Sequence, residues 1–240
     1  MAINKVVGSF EEAVADIPDG ASIMVGGFGG AGSTPQNLVL ALSKRDVKDL
    51  TIIGNAPFIS EMVGTILKSP YVDCNVLLAK KQVRKVIASF PIWTLGAGRR
   101  SLLVEMALAG EVELEIVPQG TLAERIRAGG GGIAGFYTPT GVGTLLAKGK
   151  ETKVFDGKEY LLERGLTADY SFVRAHKADP MGNLIYRGTS RTFNPIMATA
   201  ASISIAEVDK IVKVGDLNPE HVITPGVYVK RIVEIPKKEA

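Results

Sequence analysis

The hydrophobic and polar positions of the first 135 residues or so follow two alternating patterns. Short apolar or alternating runs predict strands, at residues 21–25, 50–53, 83–88 and 112–117. Apolar residues spaced three and four apart predict helices, at residues 9–17, 35–42, 58–67, 101–108 and 122–128. Strands that alternate with helices are typical of a mostly parallel sheet that is covered on both faces.

The last third of the chain is richer in strand patterns. These predict strands at residues 158–162, 170–176, 184–186, 207–214 and 227–235, with a helix near 196–201. No internal repeat, low-complexity tract or linker divides the 240 residues. We therefore expect one α/β domain over residues 1–240, with an open, mostly parallel sheet, helices on both faces and added strands in the C-terminal third.

A glycine cluster joins the first predicted strand to the next helix, in the stretch SIMVGGFGGAGSTPQNLVLAL (22–42). Gly27, Gly29 and Gly32 match G-x-G-x-x-G, the spacing of a dinucleotide-binding turn. Such a loop lets backbone N–H groups approach a phosphate near a helix N-terminus. The alternative is a tight turn that binds nothing.

The residues on either side of this loop disfavour NAD binding. The helix of a dinucleotide-binding fold starts within the motif, whereas here Ser33 or Thr34 is placed to cap the helix, with Pro35 at its first position. The second strand of such a fold ends in Asp or Glu, which holds the ribose, but this one ends in Gly54-Asn55. An NAD oxidoreductase is therefore a distant alternative.

A second motif, PQGTLAER (118–125), marks another junction between a strand and a helix. Thr121 and Glu124 have the spacing of a capping box, so we expect Thr121 to cap this helix. Gln119 then lies at the junction, where open α/β sheets usually bind ligands. A glutamine that satisfies the backbone of its own turn is the alternative.

Composition and charge narrow the function classes. The net charge is +3 and the basic residues are scattered, so we expect no nucleic-acid partner. No apolar stretch is long enough to span a bilayer and the N-terminus lacks a signal-peptide core, so we expect no membrane association. The single cysteine, Cys74, indicates a reducing compartment, the cytoplasm. His176 and His221 have no partners at ligand spacing, so we expect no metal.

The loop and the PQG motif occur together with several other motifs. These are VPQGTLAERIRAGG (117–130), FYTPTGVGTLLAKGKET (136–152), Asp179 with Gly182-Asn183-Leu184, Tyr186-Arg187, Arg191 with Phe193-Asn194, and TPGVYV (224–229). Over nearly its whole length the chain resembles the A subunit of the family I CoA-transferases of the 3-oxoacid type. VRKVIASFP (83–91) and RAHKAD (174–179) look most like the 3-oxoadipate CoA-transferase A subunit. The resemblance implies the three-layer fold of that family.

The resemblance also implies an activity and a partner. The family moves CoA from an acyl-CoA, often succinyl-CoA, to a carboxylic acid, here a 3-oxo acid such as 3-oxoadipate or acetoacetate. CoA and acyl-CoA are substrates, and no tightly bound cofactor is expected. The nucleophilic glutamate belongs to the B subunit, in a Ser-Glu-Asn-Gly-like stretch that this chain lacks. We therefore expect half an enzyme, which works as a heterodimer or heterotetramer with the B subunit.

The resemblance assigns roles to residues of this chain. Gln119 corresponds to the catalytic donor that stabilises the oxyanion, and Asn55 lines the acid-binding pocket. The loop that contacts CoA or the acyl group comprises Gly26, Gly27, Phe28, Gly29, Gly30, Ala31 and Gly32. The stretch SRTFNP (190–195) is expected near the cleft, with no role for any single residue.

The chain departs from the family pattern at three places near the expected acid pocket. Two residues, Ser33 and Thr34, stand between Gly32 and Pro35 where the family has one. Asn55-Ala56-Pro57 replaces the usual paired asparagines, and residues 92–104 form a longer connection with the only tryptophan. These departures leave a second hypothesis open: a non-catalytic protein that binds acyl-CoA or a carboxylate on the same fold.

Overall fold

A computed structural model describes residues 3–28, 33–60, 63–64, 68, 70–91 and 100–236. Within these residues, eight strands form the main sheet in the order β11-β10-β8-β1-β2-β3-β4, and β9 pairs with β8. Every pair is parallel except that of β8 and β9. The strands are β1 Ser22–Val25, β2 Leu50–Gly54, β3 Val83–Ala88, β4 Glu113–Ile116, β8 Ala168–Ala178, β9 Leu184–Ile185, β10 Ala201–Ile211 and β11 Val229–Glu234.

A second, antiparallel sheet has the order β5-β7-β6. Its strands are β5 Gly135–Thr138, β6 Thr152–Phe155 and β7 Lys158–Arg164. Asp156 and Gly157 connect β6 to β7 with positive φ angles of 50° and 75°. Asp-Gly is favoured in such a hairpin because both central residues must adopt the left-handed conformation. The sequence pattern predicts only β7 of this sheet.

The helices lie on both faces of the main sheet, as predicted. They are α1 Phe10–Ala13, α2 Gln36–Ser43, α3 Asn75–Ala79, α4 Leu102–Leu108, α5 Gln119–Gly130 and α6 Asn194–Thr199. Residues 60, 63 and 64 are also helical, within the predicted helix at 58–67, the rest of which lies partly outside the described residues. No described helix has the length and apolar character needed to cross a membrane.

Alternate residues of the central strands enter two separate cores. Ile23 and Val25 of β1 pack on one face, in a cluster with residues of α1 to α4. Met24, between them, packs on the other face with Leu122 of α5 and Met197 of α6. Because side chains alternate across a strand, this burial produces three layers, and the predicted α/β fold class is confirmed. The single-domain assignment stays a prediction.

The N-terminal helix is shorter than predicted. Ser9 caps it as expected, since its Oγ accepts a hydrogen bond from the Glu12 N–H at 3.0 Å. The helix ends at Ala13 rather than at residue 17. Arg45 donates to the carbonyl oxygens of Val14 and Ile17, so those groups are satisfied without a further helical turn.

Both predicted caps of the later helices are wrong. No side chain caps α2 from Ser33 or Thr34, because the helix begins at Gln36 with Pro35 as its N-cap. Helix α5 begins at Gln119, so Thr121 lies inside its first turn and is buried. Glu124 pairs with Arg127, one turn further on, instead of completing a capping box.

Phe172, on β8 in the middle of the main sheet, provides a test of this core. Replacing this fully buried residue with alanine should lower the free energy of unfolding by about 3–5 kcal/mol, because a cavity remains. Phe155, partly exposed on β6, is the matched control, and its replacement should cost less than about 2 kcal/mol. Urea unfolding followed by circular dichroism measures both, and equal losses would contradict the assigned burial.

Candidate active site

A cavity of about 330 Å³ lies at the carboxyl ends of β1, β2, β3 and β4. Residues that follow each of these strands line it: Phe28 after β1, Asn55, Ala56 and Ile59 after β2, Ser89 and Phe90 after β3, and Gln119 after β4. Carboxyl ends of parallel strands share one edge of a sheet, which is the usual place for a ligand in an open α/β fold. The cavity therefore brings the predicted residues Phe28, Asn55 and Gln119 together.

Two polar atoms in the cavity wall have no hydrogen-bond partner among the described residues. Asn55 is only 5% exposed, and its Oδ1 is buried and unsatisfied. The Oγ of Ser89 is likewise buried and without a hydrogen-bond partner among the described residues. Buried polar atoms are nearly always satisfied in native proteins, so these two atoms have hydrogen-bonding capacity left for a further polar group.

Backbone contacts hold the wall of the cavity in place. The Phe90 N–H donates to the carbonyl oxygen of Asn55 at 2.8 Å, which ties the end of β3 to the end of β2. The buried carboxylate of Asp73 accepts from the backbone N–H groups of Ile59 and Ser60. Burial raises the pKa of this carboxyl group, and the hydrogen bonds oppose that rise.

Gln119 is exposed and is the first residue of the 12-residue helix α5. Its carboxamide makes no hydrogen bond to another described residue, so the alternative of a glutamine that satisfies its own turn is not supported. The N-terminus of a helix carries a partial positive charge. Gln119 therefore brings a neutral carboxamide to the border of the cavity, at a position that favours negative charge.

The two described glycines of the loop are required by packing within the chain. A Cβ on Gly26 would lie 1.9 Å from Oδ1 of Asn194. Gly27 has φ +118°, and a Cβ there would lie 2.6 Å from Oγ1 of Thr34. Neither glycine lines the cavity, whereas Phe28 does. The remaining predicted loop residues, Gly29, Gly30, Ala31 and Gly32, lie outside the described residues.

The donors that would bind a phosphate at α2 are already used. Glu207 of β10 accepts hydrogen bonds from the backbone N–H groups of Asn37 and Leu38, at 2.9 and 3.0 Å. These two N–H groups are therefore bonded within the chain, and this helix start does not offer them to a phosphate.

Sequence reasoning assigned no individual role to Ile59, Ser89, Phe90 or Phe193, all of which lie at the site. Ser89 and Phe90 line the cavity, and Phe193 stacks on Phe28 with ring centroids 6.2 Å apart. The signals for Ser89 and Phe90 were their place directly after a predicted strand and within the stretch VRKVIASFP (83–91), which carries part of the family resemblance. The stretch at 190–195 was expected near the cleft, and the stacking of Phe193 explains how it reaches the loop.

The histidines take no part in this cavity. Nδ1 of His176 lies 3.0 Å from Oδ2 of Asp209, a partner on the neighbouring strand that the linear spacing did not reveal. His221 lies in a short 3-10 turn. Across the described residues, no group of three His, Cys, Asp or Glu side chains could hold a metal ion.

The close approach of Asn194 predicts different costs for two glycine substitutions. Gly26→Ala should lower the free energy of unfolding by about 1–3 kcal/mol, because the new methyl group overlaps the carboxamide. Gly120→Ala is the control, since a Cβ there meets nothing within 4 Å and alanine favours the helix. Thermal unfolding of both variants tests this, and equal midpoints would contradict the packing.

Comparison with known proteins connects this site to one family. The family model described as Coenzyme A transferase matches residues 7–235. The A subunit of a probable succinyl-CoA:3-ketoacid coenzyme A transferase of Bacillus subtilis (strain 168) is 48% identical, over 96% of this chain and 90% of that protein. The A subunit of the 3-oxoadipate CoA-transferase of Pseudomonas putida is also 48% identical, over 97% of this chain and 94% of that protein.

A solved structure gives the same result for the fold. The apoenzyme of an acyl-CoA transferase from Escherichia coli O157:H7 superposes with a TM-score of 0.80 at 23% identity. The match covers 98% of this chain and 48% of that one, so the present chain spans about half the length of that enzyme. From the extent of the family model and the near-complete coverage of the bacterial relatives, the protein belongs to the coenzyme A transferase family.

Proposed function

We propose that the chain is the A subunit of a two-subunit CoA-transferase that moves CoA from an acyl-CoA, such as succinyl-CoA, to a 3-oxo acid. The names of the two bacterial relatives support both the substrate class and the place of this chain in a two-subunit enzyme. The observation that carries the proposal is the cavity, in which polar groups of Asn55, Ser89 and Gln119 meet an apolar wall. The proposed reaction uses neither a tightly bound cofactor nor a metal.

The reaction needs a nucleophile from the partner, the B subunit. A glutamate carboxylate of that partner attacks the thioester carbon, and CoA leaves as the thiolate. The product is a mixed anhydride of the glutamate and the acyl group. The thiolate then attacks the glutamyl carbonyl carbon of this anhydride, the donor acid leaves as its carboxylate, and a glutamyl-CoA thioester remains. The acceptor acid takes CoA by the reverse steps. Such covalent steps predict ping-pong kinetics.

Gln119 is the proposed oxyanion donor of this chain. Each attack converts a carbonyl oxygen to an oxyanion, and a donor already in place stabilises the charge as it develops. A neutral amide does so without forming an ion pair with the attacking carboxylate. The position of Gln119 at the start of α5 adds the partial positive charge of the helix end.

The dimensions and polarity of the cavity suit the reacting end of the substrates. A volume of about 330 Å³ is at the small end of ligand pockets, so the cavity accommodates an acyl group or a short acid rather than the whole of CoA. We assign Asn55 and Ser89 to the oxygen atoms of the acid. The loop at residues 26–32 is the proposed contact with CoA or the acyl group. Among the described residues of this loop, Phe28 lines the cavity.

One feature of the cavity favours a second hypothesis. Ala56 lines the cavity at the position where the resemblance leads us to expect a second asparagine. A wall with fewer polar groups is also compatible with a protein that binds acyl-CoA or a carboxylate but transfers nothing. The proposed assembly, a heterodimer or heterotetramer in the cytoplasm, belongs to the transferase hypothesis alone.

Co-expression separates the two hypotheses. The tagged chain is purified with the product of the adjacent gene, and CoA exchange is assayed between succinyl-CoA and several 3-oxo acids. Borohydride trapping followed by intact-mass measurement locates the covalent adduct. We expect activity only in the complex and an adduct only on the partner chain. A stable complex that binds acyl-CoA without exchange would overturn the transferase proposal.

Gln119→Ala provides a test of the oxyanion role. Loss of one oxyanion donor should lower kcat of the complex by about 100- to 1000-fold, with thermal stability unchanged because Gln119 is exposed. Gln82→Ala is the matched control at the opposite end of the sheet, where the buried Gln82 carboxamide donates to the carbonyl oxygens of Arg45 and Val47. This variant should lose stability and keep kcat. A normal kcat in Gln119→Ala would remove Gln119 from the mechanism.

A further inference from the structure

A buried glutamate is hydrogen-bonded through both carboxylate oxygens near the glycine loop. Glu207 is 0% exposed. Its Oε2 accepts from the N–H groups of Asn37 and Leu38 at the start of α2. Its Oε1 accepts from Nη1 of Arg174 at 3.0 Å and from Nδ2 of Asn37 at 3.3 Å. With both oxygens occupied and no access to solvent, Glu207 is not itself a nucleophile for a thioester.

The same contacts explain how α2 begins without a cap of its own. The N-cap residue is Pro35, which has no side-chain hydrogen bond to the helix. Orphan N–H groups at a helix start need an acceptor, and the Glu207 carboxylate supplies it from β10. Arg174 lies directly opposite Glu207 in the register of β8 and β10, so the pair is fixed by the sheet.

Asn194 extends this arrangement to both ends of the glycine loop. Its Oδ1 accepts from the backbone N–H of Arg174 at 2.9 Å and occupies the space next to Gly26. Its Nδ2 donates to the carbonyl oxygen of Ser33 at 3.0 Å. Gly26 precedes the undescribed part of the loop and Ser33 follows it, so one carboxamide packs against the residue before that part and is hydrogen-bonded to the residue after it.

The loop in turn places one wall of the cavity. Phe28 is the loop residue in the wall, and it stacks on Phe193, the residue next to Asn194. Asn194 is therefore linked to Phe28, and so to the wall that faces Gln119 and Asn55, through the stacked ring of Phe193. None of Glu207, Arg174 and Asn194 lines the cavity.

Stability alone does not account for this arrangement. A buried ion pair loses the hydration of two charges and generally adds little net stability compared with apolar residues of similar volume. Glu207 and Arg174 instead provide hydrogen bonds of fixed direction. The bond from the Asn37 N–H to Glu207 fixes the start of α2, and the bond from Arg174 to Glu207 fixes the guanidinium of Arg174.

We propose that Glu207, Arg174 and Asn194 are positioning residues for the CoA-transferase reaction, which hold Phe28 and the start of α2 so that the acyl group meets Gln119. The inference rests on the proposed function. A corollary is that the phosphates of CoA bind elsewhere, because the Glu207 carboxylate occupies the anion-binding position of α2.

Glu207→Gln in the full two-subunit complex tests the role. The amide puts an N–H donor against either the N–H groups of α2 or the guanidinium of Arg174, so one set of hydrogen bonds is lost. Misplacement of the substrate should lower kcat by about 10- to 100-fold, with KM for the acceptor acid changed less than about 3-fold. Hydrogen exchange of the peptide covering residues 26–38 should accelerate.

Glu163→Gln is the matched control. Glu163 is another buried carboxylate, on β7, bonded to Lys150 and 4.0 Å from Nε of Arg125, and it does not line the cavity. This variant should keep kcat within about 2-fold of the wild-type value, because it lies away from the loop, and leave exchange at residues 26–38 unchanged. An equal loss of kcat in both variants would mean that any disturbed buried charge has this effect, and would overturn the inference.

Asn194→Ala decides the question if Glu207→Gln does not assemble with its partner. It removes the contacts to both loop ends and should lower kcat by a similar factor with the same local increase in exchange. Wild-type kcat in Asn194→Ala, with the complex intact, would overturn the positioning role. A wild-type complex that transfers no CoA would instead overturn the proposed function, so the two failures are distinguishable.

Discussion

The candidate site depends on the parallel pairing of β1, β2, β3 and β4. β1 pairs with β2, β2 with β3, and β3 with β4, and in every pair the strands run in the same direction. The chain therefore leaves all four strands at one edge of the sheet, and residues as far apart in sequence as Phe28 and Gln119 border one cavity. Helices α2, α3 and α4 lie in the connections that return the chain from β1, β2 and β3 to the start of the next strand, as parallel pairing requires.

Helices α2 and α5 both begin at this edge, and the structure uses their positive ends differently. At α2 the buried Glu207 carboxylate binds two backbone N–H groups, so that end is neutralised within the chain. At α5 the N-cap is Pro118, which supplies no side-chain acceptor, and Gln119 borders the cavity. In the proposed reaction, the helix that contributes electrostatically to oxyanion stabilisation is therefore α5, whereas the start of α2 is held by Glu207.

Sequence patterns were informative where a local pattern and the final packing agree. The strand pattern at residues 83–88 matches β3, since its C-terminal half is buried by helices on both faces. The capping-box pattern at Thr121 was misleading, because α5 starts three residues earlier and buries that side chain in the core. Strand β6 had no pattern to detect, since all four of its residues are exposed and pair only with β7.

Local patterns in the chain were enough to predict the fold class and the family resemblance, and to select Asn55 and Gln119 as candidate site residues. These predictions were possible because strand and helix periodicity and short motifs are properties of neighbouring residues. The folded chain was needed to show which side chains share the cavity, why Gly26 must be glycine, and where the N–H groups of α2 find an acceptor. Asn194 and Glu207 lie more than 160 residues from the groups that they bind at Ser33 and Leu38. No local pattern encodes such contacts, since they exist only once β8 and β10 have paired beside β1.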